Sequence, residues 1–145
     1  MEKYNLDRFL KAQEGVYETA LKELKAGKKQ SHWMWFCFPQ IKGLGMSHTA
    51  HLYGIKDMQE AKDYLGNEVL KARLVEMCQT LLALETNDVE QVFGYPDYLK
   101  LKSSLVLFSW VNPDEEVFSK TLDKFFKGET CPQTVDMVKG KHNNE

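Results

Sequence analysis

What this chain lacks narrows its identity first. No apolar run approaches the roughly 20 residues that a helix needs to cross a bilayer. The opening residues, MEKYNLDRF, lack the basic-then-apolar layout of a secretory leader. Charge of one sign is also missing: 19 lysines and arginines stand against 21 acids, a formal net charge of -2. Nothing global therefore argues for a nucleic acid polymer or an anionic membrane as partner. Cysteine is sparse, and the three thiols Cys37, Cys78 and Cys131 are widely spaced and odd in number. They fit reduced thiols in a cytoplasm, neither a disulfide framework nor a zinc site. Strand signals, short alternating runs bounded by turns, are nearly absent. The GxGxxG, P-loop, GxSxG, HExxH and CxxC patterns do not occur, so no cofactor is implied and no familiar nucleophile is advertised.

What is present suits one helical domain. The 145 residues are enough to bury a core, and 43% hydrophobic with 28% charged residues excludes disorder. Leu6, Phe9, Leu10, Gln13, Val16, Tyr17, Ala20, Leu21 and Leu24 repeat at helical spacing and predict one long amphipathic helix over 6–26. Asn5 is its expected cap and Gly27 its stop. Gln13 and Tyr17 then lie on or beside the buried face, where each needs a polar partner. One helical turn is expected around Trp33 to Phe38 and a short helix over Ser47 to Tyr53. Asp57 with Glu60 forms a capping-box pattern that opens a helix to Leu65, and Asn67 caps the next. Asp88 starts a short helix ending near Gly94.

Pro96 suits a first helical position ahead of Leu101, Leu105, Phe108 and Val111. Asn112-Pro113-Asp114-Glu115 reads as the start of a helix that carries Val117, Phe118, Thr121, Leu122 and Phe125 and closes at Gly128. A minor helix is expected over 132–138. The expectation is an all-α, compact multi-helix bundle with an irregular aromatic-rich loop segment. Its single domain spans 1–138, and 139–145 forms a frayed tail.

The loop segment carries the chemistry. Residues 29–47, KQSHWMWFCFPQIKGLGMS, put Trp33, Trp35, Phe36 and Phe38 beside Ser31, His32 and Gln40, then Gly43 and Gly45. No carboxylate occurs between Glu23 and Asp57, whereas Lys25, Lys28, Lys29, Lys42 and Lys56 do. Such asymmetry attracts anions. Indole faces stack rings, and glycines let backbone N–H groups approach a ligand. Lys102 and Ser103 are adjacent polar groups at the edge of a strongly apolar helix, suited to hold an anion together. The plainer reading is that the aromatics pack under the first helix with the lysines solvated. His48 and His51 share metal-pair spacing, but no cluster of Asp, Glu or Cys accompanies them, so no metal is expected.

The motifs Asp7-Arg8-Phe9, Ala12-Gln13, Tyr17, Ser31-His32-Trp33-Met34-Trp35-Phe36 and Phe38-Pro39-Gln40 open a longer pattern. It continues through Gly43-Leu44-Gly45, Tyr53-Gly54-Ile55, Phe93-Gly94, Asp97, Leu99 to Ser104, Leu107-Phe108, Pro113-Asp114 and Phe118. In these the chain resembles the DUF1810 family over almost its whole length. The resemblance implies a predominantly helical single domain and a bacterial-type cytoplasmic protein, and it implies no activity. Where the family pattern carries Arg near the first serine of the LKxSS segment, Lys102 stands here, a point charge in place of a bidentate fork.

Three functional readings stand. The first is a ligand-binding domain for an anionic, ring-containing, nucleotide-like small molecule, held by Gln13, Tyr17, Lys29, Ser31, His32, Trp33, Trp35, Gln40, Lys102 and Ser103. The second is a hydrolase acting on a nucleotide or N-glycosidic bond, with His32 as the acid–base candidate and Glu14, Glu18 or Asp97 as carboxylate partners. The third is an interaction module with no small-molecule site. Oligomeric state is open.

Overall fold

The computed structural model describes residues 6–31, 33–42, 52–95 and 97–127. Among them lie eight helices. In chain order these are α1 (Asp7–Gln13), α2 (Tyr17–Lys25), α3 (Met34–Cys37), α4 (Met58–Gly66), α5 (Glu68–Ala83), α6 (Val89–Phe93), α7 (Asp97–Val111) and α8 (Glu116–Phe126). The all-α expectation holds, and no helix is long and apolar enough to cross a membrane among the described residues.

The local capping signals do what their chemistry requires. Asp57 accepts from the Glu60 N–H at 2.9 Å and opens α4. Asn67 accepts from Val69 and Leu70, both at 3.1 Å, and opens α5. Asp88 does the same for α6 through Glu90 and Gln91. Each cap satisfies amides that a helix start leaves without partners.

Two boundaries depart from expectation. The single helix over 6–26 is broken: α1 ends at Gln13, Gly15 adopts φ 83°, and α2 begins at Tyr17. Glycine takes this left-handed conformation without steric cost, so the chain turns while its apolar positions still point inward. The second is the start of α8. Pro113 and Asp114 form a turn, the Glu115 N–H donates to the Asn112 carbonyl at 3.2 Å, and the helix opens with Glu115 as its cap residue. Asn5, the expected helix over 47–53 apart from Leu52 and Tyr53, Pro96, Gly128, the helix over 132–138 and the tail lie outside the described residues.

α7 runs through the middle of the bundle. Leu101, Ser103, Ser104, Leu105, Val106, Leu107 and Phe108 are all buried, the pattern of a helix covered on every side. It packs on α3, α4, α6 and α8; α8 in turn packs on α5, and α5 on α1, α2 and α4. Aromatic rings tie these layers in a chain. Phe36 meets Tyr53, Tyr53 meets Phe9, Phe9 meets Tyr64 edge-on at 5.2 Å, Tyr64 meets Phe108 at 5.3 Å, and Phe108 meets Phe118. Trp33, Phe38 and Phe93 form a second ring cluster. The C-terminal carbonyls of α5 are covered from α8, where the Lys124 ammonium donates to Leu81, Leu82 and Leu84.

The loop segment is fastened at its base. Ile41 and Ile55 form an isolated parallel bridge, with Lys42 N–H donating to the Ile55 carbonyl at 2.7 Å and Ile55 N–H to that of Gln40 at 2.8 Å. A Cβ on Gly54 would stand 2.8 Å from the Lys42 Cα, so only glycine fits this crossing. Arg8 reaches across from α1 to the carbonyls of Leu52 and Gly54 and to Glu60, whose other oxygen accepts from the Lys56 N–H.

Candidate functional site

Glu23, on the last turns of α2, organises the entry to the aromatic motif. Its carboxylate accepts from the N–H groups of Gln30 and Ser31, from the Ser31 hydroxyl, and from the Trp33 indole N–H at 3.0 Å. Trp33 is 1% exposed, so that indole donor has no water to fall back on. Partial burial pushes the Glu23 carboxyl up, but the Ser31, Gln30 and Trp33 hydrogen bonds outweigh it and hold it down at about 2. A depressed carboxylate stabilises the fold above its ordinary value of 4.5 and loses that contribution as pH falls toward 2. After allowance for screening by water the contribution is about 1–3 kcal/mol. Urea melts between about pH 6 and 2 should show this loss, and Glu23→Gln should flatten the curve in that window. An unaltered profile in the variant would mean that the contacts carry no energy.

Ordered in this way, residues 28–31 run beside α6, where the Lys29 N–H donates to the Val92 carbonyl at 2.7 Å. The Lys29 ammonium then reaches the first residue of α7. It lies 2.8 Å from Asp97 Oδ2, donates to the Ser31 carbonyl, and stands 5.1 Å from the Trp33 ring centroid. Its side chain is only 5% exposed. Lys100, one turn along α7, takes the other oxygen of Asp97 at 3.0 Å and places its ammonium 4.7 Å over the half-buried Trp35 ring. Burial raises the Asp97 carboxyl, but the hydrogen bonds and charges of Lys29 and Lys100 outweigh it and hold it below the usual aspartate value. Asp97 is therefore ionised at neutral pH, with both oxygens engaged.

A second polar cluster forms where α1 and α5 meet the Phe36 carbonyl of α3. Gln13, buried at the end of α1, donates to the Phe36 carbonyl at 2.7 Å and to the Tyr64 hydroxyl at 3.2 Å, and accepts from Arg73 at 3.1 Å. Tyr17 donates to Glu76, and Arg73 lies over its ring. Burial first, then the Glu76 hydrogen bond and charge, push the Tyr17 phenol up. Burial does the same to Tyr64. Cys37 is buried and free, its thiol pushed up to about 12 by burial against the opposing charges of Arg73 and Lys29. Gln13, Tyr17, Tyr64 and Cys37 are thus uncharged at neutral pH, and the hydrogen bonds of Gln13 hold the Phe36 carbonyl of α3.

Of the residues singled out in the sequence, Lys29 thus lies against Ser31 and Trp33 and is linked to Trp35 through Asp97 and Lys100, while Gln13 bonds the Phe36 carbonyl of α3 and Tyr17 bonds Glu76 of α5. Gln40 is half-buried at the bridge. Lys102 and Ser103 do not join the indoles: Lys102 projects to the opposite side of α7, 5.9 Å from the Phe126 ring, and Ser103 is buried. The α7 lysine that meets an indole is Lys100. His32, Gly43, Gly45, His48 and His51 lie outside the described residues, and among those described no group of three metal-ligating side chains forms. An open groove of about 430 Å³ runs along Glu18, Thr19, Leu21, Lys22 and Lys25 of α2; it includes the carboxylate candidate Glu18 and Lys25 of the lysine-rich interval, and none of the ten residues expected to hold a ligand.

Sequence reasoning passed over Glu23 and Lys100 and weighed Asp97 only as a partner for His32. The i, i+3 spacing of Asp97 and Lys100 was the one visible signal.

A family model described as "Protein of unknown function (DUF1810)" matches residues 3–138. The chain belongs to the DUF1810 family. Among solved structures, the conserved hypothetical protein Rv1873 from Mycobacterium tuberculosis is similar at a TM-score of 0.93 and 39% sequence identity, covering 95% of this chain and 99% of that one. No curated protein matches. For a DUF1810 protein the fold is therefore shared with a solved relative, and the chemistry has to be argued from the side chains.

Proposed function

We propose that this DUF1810 protein binds an anionic, ring-containing small molecule of nucleotide-like chemistry at the Trp35–Lys100–Asp97–Lys29 cluster. The observation that carries the reading is the Lys100 ammonium over the half-buried Trp35 face. Lys100 and Lys29 share the Asp97 carboxylate, while the nearby Glu23 carboxylate is taken up by Ser31 and Trp33. A ligand ring stacks on Trp35 in the place that the Lys100 ammonium covers, and Lys100 and Lys29 take up its negative charge. Asp97 keeps both lysines in position. Its low proton affinity makes it a poor general base, which favours binding over proton transfer.

Titration with AMP and with ADP-ribose is the test. Saturable quenching of tryptophan emission is expected for both, and neutral adenosine should bind at least about tenfold more weakly, a difference of about 1.4 kcal/mol. Calorimetry, which does not depend on an indole, should show at least about tenfold weaker AMP binding in Trp35→Leu and in Lys100→Met, with helicity retained. No response from wild-type protein to either compound would remove the reading.

A further inference from the structure

Ser104 is fully buried, at 0% exposure, and its hydroxyl has no hydrogen-bond partner. Other helical hydroxyls behave differently: Thr121 of α8 returns its hydroxyl to the Val117 carbonyl at 2.7 Å, and Ser109 of α7 and Ser119 of α8 do the same to the carbonyls three residues back. A buried hydroxyl left unmet carries the whole desolvation penalty of the group, while alanine would fill the same position without it. Asp97, Lys100 and Ser104 fall at helical spacing on one face of α7. Side chains on a helix tilt toward its N-terminus, so the Ser104 hydroxyl leans toward Lys100 and Asp97, the cluster beside Trp35.

We infer that Ser104 is the inner hydrogen-bonding group of the ligand site and that it meets the neutral heteroatom edge of a ring such as a nucleobase. This rests on the Trp35 binding reading and deepens it. Inward of Lys100 the same face of the helix is apolar, with Leu101 and Phe108 both buried and Phe108 packed on Tyr64. Placing a charged phosphate oxygen there would be opposed by desolvation, whereas a ring nitrogen or carbonyl is accommodated. The anion then stays at the mouth, with Lys29 and Lys100. Lys100 precedes Ser104 by one turn on the same face, so turning its side chain aside opens the way inward.

The experiment compares AMP with phenyl phosphate, which keeps the ring and the anion and lacks the heteroatom edge. Wild-type protein and Ser104→Ala are titrated with both by calorimetry and melted without ligand. Ser104→Ala should melt no lower than wild type, bind AMP about tenfold more weakly, and bind phenyl phosphate as wild type does. Equal AMP binding by the two proteins overturns the inference and leaves the Trp35 site standing. A variant that weakens both ligands equally, or that melts several degrees lower, also overturns it, because the hydroxyl is then acting within the protein. If wild type binds neither compound, both proposals fall.

Discussion

Glu60→Ala is expected to lower folding stability by about 3–5 kcal/mol, the range for breaking a buried ion pair from one side. The Glu60 side chain is 0% exposed, with one oxygen 2.9 Å from Arg8 and the other accepting the Lys56 N–H at 2.7 Å. Removing the carboxylate takes away the buried charge that Arg8 faces, strands the Lys56 main-chain donor, and leaves a void at a fully buried position. Glu60→Gln keeps the volume and one acceptor and should lose roughly half as much. The change is read as a shift in urea midpoint at constant slope. A variant within about 1 kcal/mol of wild type would show that the pair is replaceable by water.

Asp97→Ala should rank close behind, at about 2–4 kcal/mol. The cost arises on Lys29, whose side chain is 5% exposed and whose carboxylate partner is Asp97. A double-mutant cycle separates this from loss of packing. Lys29→Met in the Asp97→Ala background should recover part of the loss, with a coupling of about 1–3 kcal/mol. Additive losses would mean that the two groups do not depend on each other. Because the Asp97 carboxyl is held below 3.8, its contribution is intact above that pH and falls away as pH descends further. Wild-type protein should therefore lose stability in acid that Asp97→Ala has already lost.

Caps were legible in the sequence because their causes lie within four residues. Asp57, Asn67 and Asp88 each satisfy amides immediately downstream, so residue type and spacing suffice. The break at Gly15 was not legible, because Gln13, Tyr17, Ala20 and Leu24 stay in phase across it and all end buried. The start of α8 was misplaced because a proline after asparagine serves a turn as well as a first helical residue.

The site was legible in its residue types and obscure in its pairings. Trp33, Trp35 and Lys29 stand out by composition, yet the pairing of Lys29 with Asp97 spans more than sixty residues and has no local signature. The choice between Lys100 and Lys102 depends on the rotation of α7. Residues 103–108 are buried all round the helix and the exposed Leu99 is apolar, so no clear polar face reveals that rotation, and the lysine that meets Trp35 is settled only by packing.

The main-chain pairing of Ile41 with Ile55 separates two kinds of tolerance to change. Lengthening the chain between its two ends costs little, about 0.6 kcal/mol for each doubling. Substitution at Gly54 is different, because any side chain there would collide with the Lys42 backbone. A tag or reporter inserted between these two isoleucines should therefore be borne better than a single methyl group on that glycine.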